Sequence, residues 1–169
     1  MQNPPIETLK ILLQLLIDSK IDFVLIGGFA CIVHGSTQLT QDLDICSSLT
    51  WDQIEKFRQA LAPFHPKHRM TTKQLSFLEF PEGPQKMNNI YLRTDLGVLD
   101  ILGTLPEVGN FETLSTRAET FEIEGKKFKV LCLDDLIKAK TIVGRPKDIA
   151  AVYELKVIQE RLKNKKNKK

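Results

Sequence analysis

The segment over residues 23–46 constrains the fold of this chain more than any other part of the sequence. It opens with an apolar run that leads directly into Gly27 and Gly28, and it ends with two carboxylates, Asp42 and Asp44, separated by one apolar residue. These features predict two strands, and the residues between them lack strand alternation and predict a short helix. Side chains at i and i+2 of a strand project to the same side, about 7 Å apart, so we expect both carboxylates on one face of a sheet.

Carboxylates in this arrangement are suitable ligands for a divalent cation. Mg²⁺ prefers oxygen ligands and usually binds through one or two carboxylates together with the phosphates of a substrate. The preceding glycines allow a backbone to approach phosphates closely, and the helix that they open presents free N–H groups. The segment therefore indicates a site for a metal ion and a nucleotide.

A third carboxylate, Asp100, lies between Leu99 and Ile101 on a later predicted strand. An isolated carboxylate among apolar neighbours is costly to bury, and a nearby metal ion would offset that cost. Three carboxylates could hold two Mg²⁺ about 3.5–4 Å apart, and Asp100 is then a candidate general base. An Asp-x-Asp pair alone more often belongs to a turn, a helix cap or a solvated strand, but the glycines, the short helix and the later aspartate together favour the metal site.

Composition limits the number of domains. The chain has 169 residues, of which 42% are hydrophobic, enough for one core and too few for two ordinary domains. We expect a single domain over residues 1–162 and a disordered tail over residues 163–169, because the tail has five lysines and no apolar residue to bury. Two interpretations of the tail stay open: a solvated end that aids solubility, or an electrostatic contact with nucleic acid.

The sequence also disfavours two locations. No apolar run is long enough to span a membrane, and the N-terminus lacks the basic region, apolar core and cleavage site of a secretion signal. The three cysteines, Cys31, Cys46 and Cys132, are scattered through apolar segments. Such an odd, scattered set predicts reduced thiols in the cytoplasm.

The remaining periodicities predict a small mixed β-sheet flanked by helices, an α+β fold of two layers. The predicted strands cover residues 23–26, 43–46, 75–80, 90–93, 98–102, 121–123 and 128–131. The predicted helices cover about 4–19, opened by Pro4 and Pro5, then 28–34, 51–61 with Ser48 or Thr50 as cap, 133–143 with Asp134 as cap, and 146–162. Residues 64–89 mix basic and aromatic side chains, which would suit RNA. These side chains are Lys67, His68, Arg69, Lys73, Lys86, Phe77 and Phe80.

Four segments, in this order, resemble the nucleotidyltransferase fold of the polymerase-beta superfamily. They are Leu25-Ile26-Gly27-Gly28-Phe29-Ala30, His34-Gly35, Thr40-x-Asp42-x-Asp44 and Leu99-Asp100-Ile101-Leu102. The chain is more similar to the short bacterial and archaeal branch that includes the abortive-infection nucleotidyltransferase-like toxins. A Lys-rich helix followed by Gly144-Arg145-Pro146-Lys147-Asp148 is typical of that branch as well. The resemblance covers about residues 5–160.

The resemblance implies a role for each matching residue. Asp42, Asp44 and Asp100 correspond to the three carboxylates that bind metal and carry catalysis. The implied nucleotide-binding residues are Gly27, Gly28, Thr40, Lys140, Arg145 and Lys147. Arg145 has a second interpretation that stays open, since Gly144-Arg145-Pro146 is also an ordinary helix stop followed by a helix start. Asp148 then fits the positive end of the new helix.

The resemblance also implies an activity. The expected reaction moves a nucleoside monophosphate from a nucleoside triphosphate to an acceptor hydroxyl, with Mg²⁺ or Mn²⁺ as cofactor. The acceptor could be a tRNA end, a protein or a small molecule, and an antitoxin or a second copy could be a partner. The alternative is an inactive member of the same fold that binds nucleotide, RNA or a partner protein. Gln38 stands where many members of the branch carry Arg, which favours this alternative, whereas the intact carboxylate trio favours the enzyme.

Overall fold

The computed structural model describes residues 6–168, and the predicted helix start at Pro4 and Pro5 lies outside them. Within the described residues the strands are β1 (Val24–Ile26), β2 (Asp42–Cys46), β3 (Lys67–His68), β4 (Asn89–Thr94), β5 (Gly97–Leu102), β6 (Thr104–Leu105), β7 (Gly109–Asn110), β8 (Glu119–Ile123) and β9 (Lys126–Val130). The helices are α1 (Ile6–Asp18), α2 (Gly27–Val33), α3 (Trp51–Leu61), α4 (Phe111–Arg117), α5 (Leu133–Val143) and α6 (Pro146–Lys166), with a short 3₁₀ helix at Ala62–Phe64.

Seven of these strands form one mixed sheet in the order β3-β4-β5-β2-β1-β9-β8, and β6 pairs with β7 separately. The central strand β2 is parallel to β5 and antiparallel to β1, while β1 is parallel to β9. Antiparallel pairing joins β4 to β5, β3 to β4 and β8 to β9. This architecture confirms the predicted mixed sheet flanked by helices.

Strand register separates an apolar face of the sheet from a polar one. Leu43 is paired with Leu99 and Ile45 with Ile101, and all four side chains are fully buried. Helix α1 packs on this face through four buried leucines at helical spacing, which are Leu9, Leu12, Leu13 and Leu16. Because side chains alternate along a strand, Asp42, Asp44 and Asp100 project from the opposite side, which we call the polar face.

One predicted strand is wrong. Residues 75–80 form a single bridge, between Ser76 and Lys67, and then a turn in which the Phe80 N–H donates to the Ser76 carbonyl. The apolar run there does not pair as a strand. Its one fully buried side chain is Phe77, while Leu78 is 40% exposed. The short elements β3, β6, β7 and α4 were not predicted, since two-residue strands and a two-turn helix carry too little periodicity.

The predicted bounds of α5 are confirmed, but its cap residue and the end of α6 differ from the prediction. Helix α5 begins at Leu133 with Cys132 as its N-cap residue, so Asp134 lies in the first turn, where its charge favours the positive helix end. Helix α6 continues through Lys166, four residues past the predicted end at Leu162. Lysine is a good helix former, and lysines in a last turn face the negative end of the helix. The remainder of the predicted disordered tail stays a prediction.

Candidate active site

A cavity of about 770 Å³ opens between the polar face of the sheet and helices α5 and α6. The predicted site residues that line this cavity are Gly28, Thr40, Asp42, Asp44, Asp100, Lys140, Arg145 and Lys147. Gly27 lies beside them, against the carboxylate of Asp44. Residues that are far apart in sequence therefore meet at one place, although their roles in binding stay predictions.

One wall of the cavity is acidic. Asp44 and Asp100 are directly paired on the parallel strands β2 and β5, and Asp42 precedes Asp44 on the same face. Burial, together with the negative charges of Asp100 and Asp42, raises the pKa of Asp44 to about 6. Among residues 6–168, no group of three acidic, histidine or cysteine side chains is arranged to hold a metal ion. The fold thus crowds the carboxylates without gathering all three into a ready metal cluster.

Arg69 compensates only one of these carboxylates. Its Nε donates to Oδ1 of Asp100 at 3.1 Å, and its Nη2 donates to Oδ2 at 2.5 Å. The Arg69 backbone N–H donates to the carbonyl of Tyr91, and its guanidinium lies over the Tyr91 ring, 5.3 Å from the centroid. Burial raises the pKa of Asp100, and the hydrogen bond from Arg69 opposes that rise. The sequence placed Arg69 only in a mixed basic segment, because nothing in its local pattern shows a reach to β5.

Positions 27 and 28 require glycine because Asp44 and Thr40 lie too close to them for a side chain. A Cβ atom at Gly27, whose φ is +67°, would lie 2.2 Å from Oδ2 of Asp44. A Cβ atom at Gly28 would lie 2.7 Å from Oγ1 of Thr40, whose hydroxyl donates to the Asp42 carbonyl at 3.1 Å. Only glycine therefore allows α2 to start this close to β2. The predicted contact of these glycines with a triphosphate stays a prediction.

The opposite wall is basic and is organised by a buried carboxylate. Asp148 is 0% exposed. Its oxygens accept hydrogen bonds from Lys140 Nζ at 3.1 Å and from Arg145 Nε at 2.6 Å. Burial alone would raise the pKa of Asp148, but the hydrogen bonds from Arg145 and Lys140 outweigh it and hold the pKa below its ordinary value. Arg145 is also the N-cap residue of α6, which fits its interpretation as part of a helix start, while its role in nucleotide binding stays a prediction.

A loop at the mouth of the cavity is tied to α6. Glu154 accepts hydrogen bonds from the Ser36 hydroxyl at 2.6 Å and from the Thr37 backbone N–H at 2.7 Å. The next residues, Gln38 and Leu39, line the cavity, and Leu39 is 94% exposed. The anchor at Glu154 therefore fixes where this rim lies relative to α6.

Three other side chains singled out in the sequence have packing roles. His34 bonds through Nε2 to the Leu131 carbonyl at 2.8 Å and meets the Phe121 ring edge-on. Phe77 is fully buried and contacts His68 in the same edge-on geometry. Phe77 is therefore not available to stack on the bases of an RNA.

Several solved structures share this fold, including the following two. The lincosamide antibiotic adenylyltransferase LnuA, with lincomycin bound, has a TM-score of 0.66 and 19% sequence identity, over 93% of this chain and 99% of that one. A candidate nucleotidyltransferase of Thermotoga maritima has a TM-score of 0.54 and 18% identity, over 95% of each chain. Both likenesses confirm the predicted nucleotidyltransferase fold.

Among curated proteins, none matches the chain. A family model described as "Nucleotidyltransferase of unknown function (DUF6036)" matches residues 7–164. That match spans nearly the whole chain and includes every residue that lines the cavity, so the chain belongs to this family of nucleotidyltransferases.

Proposed function

We propose that this protein transfers a nucleoside monophosphate from a nucleoside triphosphate to an acceptor hydroxyl, with a divalent cation as cofactor. The observation that carries the proposal is one cavity with carboxylates on the sheet and cations on the helices facing them. A triphosphate with a bound cation needs both kinds of wall, one for the metal and one for the phosphates. Family membership and the fold support the same reaction class.

The donor set fits a hard cation in part. Asp42 and Asp44 line the cavity and are half-buried, and carboxylates with substrate phosphates are the usual protein environment of Mg²⁺. Mn²⁺ takes the same oxygen ligands. When bound there, the cation would polarise the phosphoryl oxygens and stabilise negative charge that develops on the leaving pyrophosphate.

The protein's own residues supply binding and orientation. Lys140 and Arg145 would neutralise phosphate oxygens from the basic wall, with Lys147 at its rim, because Arg offers a fork and Lys a mobile charge. Thr40 and the glycine pair would fix the backbone beside Asp42 and Asp44. Asp100 would accept a hydrogen bond from the acceptor hydroxyl and act as its general base, using the oxygen lone pairs that are not bonded to Arg69.

The proposal identifies the acceptor only by its chemical class. LnuA is named as an adenylyltransferase of lincosamide antibiotics, so a small-molecule hydroxyl is one candidate acceptor beside a tRNA end and a protein hydroxyl. Membership of the toxin-like branch, an antitoxin or homodimer partner, and a cytoplasmic location stay predictions. No helix of residues 6–168 combines the length and the apolar character needed to cross a membrane.

Calorimetric titration with each nucleoside triphosphate, with Mg²⁺ or Mn²⁺ and without metal, tests the proposal. We expect metal-dependent binding that Asp44→Ala abolishes. Asp52→Ala is the matched control, because Asp52 is an exposed aspartate at the start of α3, outside the cavity. Transfer is then measured with triphosphate labelled at the α-phosphate. A wild-type chain that binds no triphosphate with either metal would favour the alternative, an inactive member that binds RNA or a partner protein.

A further inference from the structure

We propose that Arg69, rather than a second metal ion, is the resident cation of Asp100, so that the site takes one divalent cation, held by Asp42 and Asp44. This inference rests on the proposed function, because it concerns the metal content of the same cavity. Arg69 is then a positioning residue that acts through Asp100.

The geometry of the Arg69–Asp100 pair leaves little room for a metal at Asp100. Two nitrogens of the guanidinium take both carboxylate oxygens, the bidentate arrangement in which Arg binds a carboxylate most strongly. The side chains of Arg69 and Asp100 are 27% and 12% exposed, so water screens the pair only partly. A second metal ion would have to share or displace these contacts.

Arg69 is also held in place independently of Asp100. Its backbone N–H is bonded to the carbonyl of Tyr91 at 3.0 Å, which continues the β3–β4 pairing by one residue. Its guanidinium lies over the ring of Tyr91, and Tyr91 is the direct cross-strand partner of Asp100. Two contacts with Tyr91, one through the backbone and one through the ring, therefore position Arg69 beside Asp100. A preorganised fork loses little entropy when it binds.

The other two carboxylates have no such compensation. Within residues 6–168, no side chain donates a hydrogen bond or forms an ion pair with the carboxylate of Asp42 or Asp44, and both carboxylates line the cavity. The unmet negative charge on the acidic wall is therefore concentrated at these two residues. One divalent cation there, together with Arg69 at Asp100, would balance the three carboxylates.

Counting bound Mn²⁺ tests the inference without measuring activity. Titration followed by calorimetry and by electron paramagnetic resonance should give one Mn²⁺ per chain for the wild type, with the six-line signal of an isolated ion. Arg69→Gln should bind a second Mn²⁺ and give a spin-coupled signal, because Asp100 is then free beside Asp44. Arg93→Gln is the matched control. This variant also loses one positive charge, but Arg93 lies on β4 and is paired with Val98, two residues before Asp100, so it should still bind one Mn²⁺.

The outcomes separate this inference from the proposed function. Two Mn²⁺ in the wild type, one in Arg69→Gln, or two in Arg93→Gln would each overturn the role of Arg69 while leaving metal-dependent transfer intact. A wild type that binds no Mn²⁺ would overturn the inference, whereas the proposed function is decided separately by the triphosphate titration. If Arg69→Gln does not fold, Arg69→Lys replaces it, since a single ammonium cannot hold both oxygens. A second Mn²⁺ is expected there too, bound more weakly than in Arg69→Gln because the ammonium still competes for Asp100, and its absence would contradict the inference.

Discussion

Asp44 lines the acidic wall of the cavity and Asp148 is buried behind the basic wall, and the pKa values of these two aspartates shift in opposite directions. Burial and two neighbouring carboxylates raise the pKa of Asp44 to about 6. Asp148 is fully buried, but Lys140 and Arg145 hold its pKa below the ordinary value. Burial raises the pKa of both groups, and the charge of their partners decides whether the net shift is upward or downward. The acidic wall therefore costs stability, whereas the basic wall contributes to it.

Removing the Asp148 carboxylate, which pairs with the cations of the basic wall, should have the largest effect on the free energy of unfolding. Asp148→Asn leaves Lys140, whose side chain is 16% exposed, without its counter-charge, and we expect a loss of about 3 kcal/mol in the free energy of unfolding. Urea denaturation measures it. Asp135→Asn is the control, because Asp135 pairs with the more exposed Arg117 away from the cavity and should lose about 1 kcal/mol. Equal losses in the two variants would remove the contrast between the walls.

The second prediction concerns the close contact between Gly27 and the Asp44 carboxylate on the acidic wall. Gly27→Ala should lose about 2 kcal/mol, because it combines an unfavourable φ with a clash against the Asp44 carboxylate. Gly125→Ala separates the two causes, since Gly125 has φ +79° and nothing within 4 Å of the added atom. It should lose about 1 kcal/mol. Thermal unfolding of both variants is the measurement, and a similar loss in each would show that the contact with Asp44 is unimportant.

The third prediction is a gain in stability rather than a loss, for the variant Asp44→Asn, and it is the smallest of the three effects. The pKa of Asp44 is about 6 in the folded protein against an ordinary 3.8, so the folded state binds the proton more tightly than the unfolded chain. The resulting stabilisation is complete below pH 3.8 and is lost as the pH rises through 6. In metal-free buffer, Asp44→Asn should therefore exceed the wild type by about 1 kcal/mol at pH 8 after screening is allowed for.

The pH series supplies the check on this third prediction. The advantage of Asp44→Asn should shrink to nothing as the pH is lowered below 4, where the wild-type carboxyl is protonated as well. Denaturant unfolding at each pH gives the difference. A variant that is less stable than the wild type at pH 8 would mean that Asp44 is compensated by a cation within the fold, contrary to the comparison of the two walls.

The sequence predicted the fold where a pattern repeats along the chain. The alternation around Asp42 and Asp44 correctly placed β2 and its polar face, and the leucine spacing placed α1. The pattern failed at residues 75–80, because an apolar run serves a turn with one buried anchor, Phe77, as well as it serves a strand. Local periodicity does not distinguish these cases, since the outcome depends on contacts with Pro66 and Ser76.

The site was predictable in part for the same reason. Carboxylates on strands carry a recognisable spacing, and the structure places Asp42, Asp44 and Asp100 around one cavity. Arg69 and Asp148 act across 31 and eight residues of sequence, respectively, and neither contact leaves a periodic signal. Asp148 satisfied the local pattern of a helix start, so its bonds to Lys140 and Arg145 could be found only in three dimensions.

The hydrogen bonds of Glu154 have a consequence for how the protein is made. They join residues 117 and 118 positions apart, so the rim of the cavity is fixed only when α6 reaches the loop after α2. Chains are synthesised from the N-terminus, and the carboxylates of β2 therefore leave the ribosome long before Lys140, Arg145 and Glu154. During most of its synthesis the chain therefore has the carboxylates of the site but lacks the cations proposed to bind phosphate. We expect the growing chain to bind no triphosphate until α6 is complete.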